Sequence, residues 1–126
     1  MKHLGAELAV VRPGECEIRV RYRPELSQQH GYFHAGVTAS IADSASGYAA
    51  FSLMPADHSV LTVEYKINLV ALADGELLVA RVVRSGKTLK ICAADVFAVK
   101  NKIETLCATA LSTIMAMASK PDGPAG

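Results

Sequence analysis

What this chain lacks narrows its possible roles. No apolar run approaches the roughly 18 residues of a membrane span, and Met1-Lys2-His3 leads straight into Leu4-Gly5-Ala6-Glu7 without the apolar stretch of a secretory signal. An excess of one charge is missing too: 13 Lys and Arg face 12 Asp and Glu, a formal net charge of +1, and the charges are scattered. That balance leaves no electrostatic footprint for nucleic acid or an anionic membrane. Cys16, Cys92 and Cys107 stand alone, with no C-x-x-C spacing. They predict reduced thiols in a cytoplasmic protein, small core residues rather than redox groups. No segment repeats, and nothing divides the chain into two domains.

What is present suffices for one folded unit. The 126 residues, 51% of them hydrophobic, can bury a core without disulfides or metals. The predicted domain is 1–118, with a Pro/Gly-rich tail, 119–126, expected to fray. Residues 15–22 alternate, with Glu15, Glu17, Arg19 and Arg21 on one side and Cys16, Ile18, Val20 and Tyr22 on the other. This is the pattern of a half-buried antiparallel strand, and Pro13-Gly14 turns into it from a strand over 5–12. From Gly36 the apolar positions recur at helical spacing (Val37, Ile41, Ala45, Tyr48) until Met54-Pro55 stops the helix. Residues 58–71 alternate again, with Leu61, Val63, Tyr65, Ile67 and Leu69 predicted on one face and Thr62, Glu64, Lys66 and Asn68 on the other. Strands over 76–84, 88–99 and 103–117 follow, the first apolar on both faces as a central strand should be. One helix must serve about six strands, so an antiparallel sheet wrapped around a single helix is expected.

The segment "HGYFHAGVTASIADSASGYAAF", residues 30–51, poses the functional question. Asp43 sits in a helix otherwise built of small residues, where an acid is a poor helix former and costly to bury. It follows Gly36 by seven residues, two turns along nearly the same face. A carboxylate there can act as general base or nucleophile, or it can cap a nearby loop N–H. The unsatisfied N–H groups at the helix start, at Ala35 and Gly36, can hold a developing oxyanion, and glycine allows close approach. Arg84-Ser85-Gly86-Lys87 is either an exposed anion site or an ordinary solvated hairpin.

The run from Gln28 through Gly31, His34 and Gly36 to Asp43, together with "SASGYAAFSLMP" and "LTVEYKINLVALADGELLVARVVRSGKTLKI", resembles the hot-dog-fold acyl-CoA thioesterases of the phenylacetate-degradation (PaaI-like) branch. The likeness covers the chain from about Leu4 to Met117. Two departures stand out: His34-Ala35-Gly36 replaces the family's His-Gly-Gly, and Gln28 stands where Asn is common, with Gln29 and His30 as neighbours able to substitute. The resemblance implies an α+β hot-dog fold that is dimeric and often tetrameric, with the site between subunits and no metal or cofactor. It implies hydrolysis of an acyl-CoA, medium- or long-chain or aryl, to free acid and CoA. Asp43 is then the reactive carboxylate, Gly36 the oxyanion donor, and His34 and Gln28 positioning groups. Thr62 falls where the family has a hydroxyl that orients water from the neighbouring subunit. Ala35, Ser46, Gly47, Arg84, Gly86 and Lys87 would contact substrate, the cations through CoA phosphates. On the residues alone, His34 can equally be a structural donor and Thr62 an ordinary strand residue. The same fold also hosts acyl-thioester dehydratases and hydratases, for which His34 and Asp43 could imitate an acid–base pair, and non-catalytic acyl-CoA-binding proteins.

Overall fold

The two stretches flanking Pro13-Gly14 form a hairpin, β1 (Glu7–Arg12) and β2 (Glu15–Arg21), in a computed structural model that describes residues 2–86 and 90–118, Lys2 by its backbone alone. A single helix, α1 (Ala35–Phe51), follows, and then β3 (His58–Leu69), β4 (Leu77–Ser85), β5 (Ile91–Lys100) and β6 (Ile103–Ala118). The strands make one six-stranded sheet in the order β1-β2-β4-β5-β6-β3, every neighbouring pair antiparallel. The β5–β6 hairpin turns on Asn101 and Lys102, both at positive φ, the geometry of a two-residue turn whose twist matches its strands.

The helix lies across the inner face. Its Val37, Ile41, Ala42, Ala45 and Ala49 are buried with Ile18 and Val20 of β2, Leu78 and Ala80 of β4, Val96 and Ala98 of β5, and Ala108 and Ala110 of β6. The alanines on both sides let backbone approach backbone, so the sheet can close around the helix. A smaller cluster of Ala50, Cys92 and Ile114, with Met54 and Val60, fills the helix's C-terminal end. There the Ser52 hydroxyl donates to the Ala49 carbonyl (2.6 Å) and accepts from the Gly14 amide (2.8 Å), tying the helix end to the β1–β2 turn. This is the hot-dog arrangement. Leu78, Val79 and Ala80 are all buried, as expected of a central strand with two apolar faces.

The outer face over β2, β4 and β5 carries a cluster of charges beside buried Val79. Arg81 donates to Glu17 (2.6 Å) and forks onto Glu104, Arg19 also holds Glu17, and the Arg81 guanidinium lies 5.1 Å from the Phe97 ring centre. Burial alone would raise the Glu17 pKa, but the hydrogen bonds from Arg81 and Arg19 outweigh it and hold it below its ordinary value. The Arg81 hydrogen bond likewise lowers Glu104. The three cysteines are unpaired and buried, and burial pushes Cys16 and Cys107 up to about 11, so these thiols stay protonated at neutral pH.

One strand departs from the expected alternation. Thr62 and Ile67 are five residues apart, so a regular strand would put them on opposite faces. Both face inward: Thr62 lies opposite buried Ile114, and Ile67 lies opposite Ala110 and packs on the core. A β-bulge between Thr62 and Glu64 absorbs the extra residue and flips the phase. Leu61 and Val63 therefore do not share a face with Tyr65, Ile67 and Leu69. Leu61 lies opposite exposed Met115 on the outer face.

Candidate active site

The loop before the helix is zipped by its own backbone. His34 N–H donates to the Leu26 carbonyl (2.9 Å), Gln28 N–H to the Tyr32 carbonyl (2.9 Å) and Gly31 N–H to the Gln28 carbonyl (3.0 Å). Gln28 folds back on this loop, its Oε1 accepting from the His30 and Tyr32 amides. That leaves its amide donor without a partner among the described residues. His34 is the N-cap of α1. Its backbone is extended, and its Nδ1 accepts from the Gly36 amide at 2.8 Å, which fixes the proton of the neutral ring on Nε2.

This cap accounts for the His-x-Gly spacing. A Cβ at position 36 would stand 3.0 Å from His34 Nδ1 and 3.4 Å from Cε1, so the ring would have to shift by a few tenths of an ångström to make room for a side chain. The same bond occupies the Gly36 N–H. Ala35, the first helical residue, is exposed, and its N–H has no acceptor among the described residues. Gln28, His34, Ala35 and Thr38 line a cavity of about 570 Å³ with Phe33 and the segment 69–73 that follows β3.

Asp43 lies further along the helix, half-buried, and the Thr62 hydroxyl donates to its Oδ1 at 2.8 Å. The second carboxylate oxygen, Oδ2, has no partner among the described residues. Thr62 reaches Asp43 because the phase before the bulge turns it inward, and the pair is made within one chain. Eight residues of helix separate Ala35 from Asp43, an axial rise of about 12 Å. Within one chain the Ala35 N–H and the Asp43 carboxylate are therefore too far apart to meet at one carbonyl. Beside Asp43 and Thr62 a second groove, about 340 Å³, is lined by Ser44, Gly47, Tyr48, Phe51, Ser59 and Val60.

The remaining sequence candidates fall elsewhere. Ser46 is a correction: it is fully buried, its hydroxyl without a partner among the described residues, because three residues past Asp43 the helix has turned it toward the sheet. It cannot reach a ligand in the groove. Arg84 is exposed on β4, and the Gly86 amide closes onto the Ile91 carbonyl at 3.0 Å. Lys87 lies outside the described residues. The β4–β5 turn sits at the Thr62 end of the sheet, since the Ile114 amide, opposite Thr62, bonds the Lys90 carbonyl (2.7 Å). β4 is three strands from β3 in the sheet order, roughly 14 Å. Arg84 therefore sits on a strand that does not adjoin the one bearing Thr62. Sequence reading missed Tyr48 and Ser59 as groove residues. Their signal, an exposed aromatic one residue past a mid-helix glycine and a small residue three before Thr62, is legible only once helix and strand lie side by side. Among the described residues no three His, Cys, Asp or Glu are grouped to hold a metal ion, and no helix is long and apolar enough to cross a membrane.

An antiparallel sheet around one helix is the architecture of the hot-dog acyl-thioester hydrolases that the sequence resembles. The thioesterase superfamily profile matches residues 30–105, and the chain belongs to that family. A thioesterase family protein from Silicibacter pomeroyi superposes with a TM-score of 0.89 at 42% identity, over 94% of this chain and 89% of that one. The PaaI protein of the phenylacetic acid degradation operon of E. coli shares the fold at a TM-score of 0.76 and 18% identity, over 94% of this chain and 83% of its own. A Halobacterium salinarum protein provisionally named an esterase is 28% identical over 102 residues, 76% of this chain and 68% of its own length. The chain is an acyl-thioester hydrolase.

Proposed function

We propose that this hydrolase acts on acyl-CoA as a homodimer in the cytoplasm, through a site that two copies build together. The observation that carries this reading is the pairing of a half-buried Asp43 with Thr62 on one half-site, about 12 Å of helix away from the open Ala35 N–H on the other. The edge strand β3 supplies the join. Its Leu61, Val63, Tyr65 and Leu69 are about half exposed along a strand whose outer edge is unpaired among the described residues, a surface that calls for cover. Antiparallel pairing of two β3 strands about the Glu64–Tyr65 peptide sets residues 69–70 of one copy opposite 59–60 of the other. The Ala35 cavity of one copy, which includes Leu69 and Val70, then meets the Asp43 groove of its partner, which includes Ser59 and Val60.

In this dimer the thioester carbonyl oxygen accepts from the Ala35 N–H, helped by the Gln28 amide and the positive end of the helix. His34 acts by holding the first turn. Asp43 serves as general base: Thr62 fixes Oδ1, Oδ2 takes a proton from water, and a Thr62 lone pair can accept that water's other hydrogen. The water oxygen bonds to the carbonyl carbon. Collapse of the tetrahedral species breaks the C–S bond, and the CoA thiolate leaves and takes up the proton. Arg84 and Lys87 are proposed to meet CoA phosphates, and the acyl group is apolar, a medium or long chain or an aryl group. A His/Asp dehydratase pair is not formed within one chain, because His34 Nδ1 is bound to Gly36 and Asp43 lies nine residues on.

Mixing two inactive variants tests the composite site. Ala35→Pro removes one N–H at a helix position that tolerates proline, after a residue already extended. A heterodimer of Ala35→Pro with Asp43→Asn keeps one intact site, so co-expression is expected to restore about half the activity per dimer. No recovery from a confirmed heterodimer refutes the composite site. Single turnover in ¹⁸O-water separates the routes: label entering the Asp43 carboxylate means nucleophilic attack, and its absence supports the general base.

A further inference from the structure

A glycine in the middle of a helix needs a reason, because alanine there is better by about 0.5–1 kcal/mol. Packing among the described residues does not supply one at Gly47. Of these residues, a Cβ there would meet only Val60 Cγ2, at 4.0 Å, an ordinary contact. What the missing side chain does leave open is the groove beside Asp43. Gly47 is one turn beyond Asp43 and Phe51 one turn beyond Gly47, so the groove runs from the carboxylate toward the helix C-terminus. Its floor is Gly47 against Val60, its ends are the small Ser44 and Ser59, and its rim is Tyr48 and Phe51, 44% and 46% exposed. Val60 and Thr62 are alternate residues on the same inward face of β3, so the floor is continuous with the reactive pair. At about 340 Å³ the groove falls within the ordinary range of small-molecule sites, and two aromatic rings at a trough's rim suit an apolar occupant.

We infer that this groove takes the acyl body of the thioester and that Gly47 sets how bulky an acyl group can lie against Asp43. The inference rests on the proposed acyl-CoA hydrolysis and adds the subsite. With the carbonyl carbon at Asp43, one substituent runs over Gly47 and the sulfur leaves in the other direction. A side chain at position 47 would rise through the floor and shorten the trough without moving the carboxylate.

The test measures kcat/KM for acetyl-, hexanoyl- and phenylacetyl-CoA in the wild type, Gly47→Ala and Gly47→Leu, with melting temperature and sedimentation on each protein. One methylene in an apolar pocket is worth roughly 10- to 200-fold in discrimination. The hexanoyl-to-acetyl and phenylacetyl-to-acetyl ratios are expected to fall about tenfold in Gly47→Ala and further in Gly47→Leu, with the Ala variant dimeric and at least as thermostable as the wild type. Unchanged ratios in dimeric variants overturn the inference alone. A Gly47→Ala protein that becomes monomeric assigns the glycine to subunit contact and also overturns it. A wild type that hydrolyses none of the panel, in a confirmed folded dimer, overturns the parent reading and this inference together.

Discussion

Replacing Asp43 with asparagine isolates chemistry from packing. The substitution is nearly isosteric, and the asparagine Oδ1 can still accept the Thr62 hydroxyl now bound at 2.8 Å. Only the charge and basicity of the carboxylate are lost. A positioned general base contributes about 10²- to 10⁴-fold, which is about 3–5 kcal/mol of barrier. The hydrogen bond changes from charge-assisted to neutral, a difference of about 1 kcal/mol, so the melting temperature should move by only a few degrees. The assay is release of CoA thiol from hexanoyl-CoA, read with a chromogenic disulfide. Cys16, Cys92 and Cys107 are buried and should stay silent in it. The expectation is a kcat lower by at least roughly two orders of magnitude, with KM and the dimer unchanged. Thr62→Val, which keeps the carboxylate and removes its hydroxyl partner, should lower kcat by roughly tenfold. If Asp43 were only a cap, the Asn variant would lose stability and keep its turnover. A folded, dimeric Asp43→Asn protein with wild-type kcat refutes the catalytic reasoning.

Other outcomes follow from particular contacts. His34→Ala removes the N-cap and should cost about 1 kcal/mol of stability, most of which His34→Asn should restore, since asparagine is a good cap; thermal melts of the two variants check this. Replacing Tyr65 on the edge of β3 with lysine is expected to give a monomer by sedimentation and to abolish hydrolysis. Arg84→Ala and Lys87→Ala should raise KM with little change in kcat, because phosphate contacts bind ground and transition states alike, and an unchanged KM in the double variant removes both from the CoA site. Glu17 and Glu104 are held below their ordinary value of 4.5. Their contribution to stability is therefore complete above that value and is lost as pH falls through their depressed folded pKa values. Urea unfolding of Glu17→Gln across pH 3 to 7 should show a flatter acid limb than the wild type, and parallel limbs contradict the assignment.

Local periodicity was enough to place every strand and the helix in order. Alternation at 15–22 and helical spacing from Val37 to Tyr48 are properties of neighbouring residues, and the sequence shows them directly. It also made Asp43 conspicuous, since an acid among alanines and serines is a local anomaly. Partners were another matter. That Thr62 meets Asp43 depends on a bulge at the middle of β3, and a bulge is decided by what β6 offers across the ladder. The same bulge separated Leu61 and Val63 from Tyr65, Ile67 and Leu69, which strict alternation put on one face. Gly36 was legible as a special position, but the ring that lies over it and takes its N–H is not, because a histidine's rotamer answers to three-dimensional space. Nor did spacing separate Gly47, which opens onto the groove, from Ser46, which is buried: one residue of helix is about 100° of rotation, and only the position of the sheet decides which of the two directions is the core.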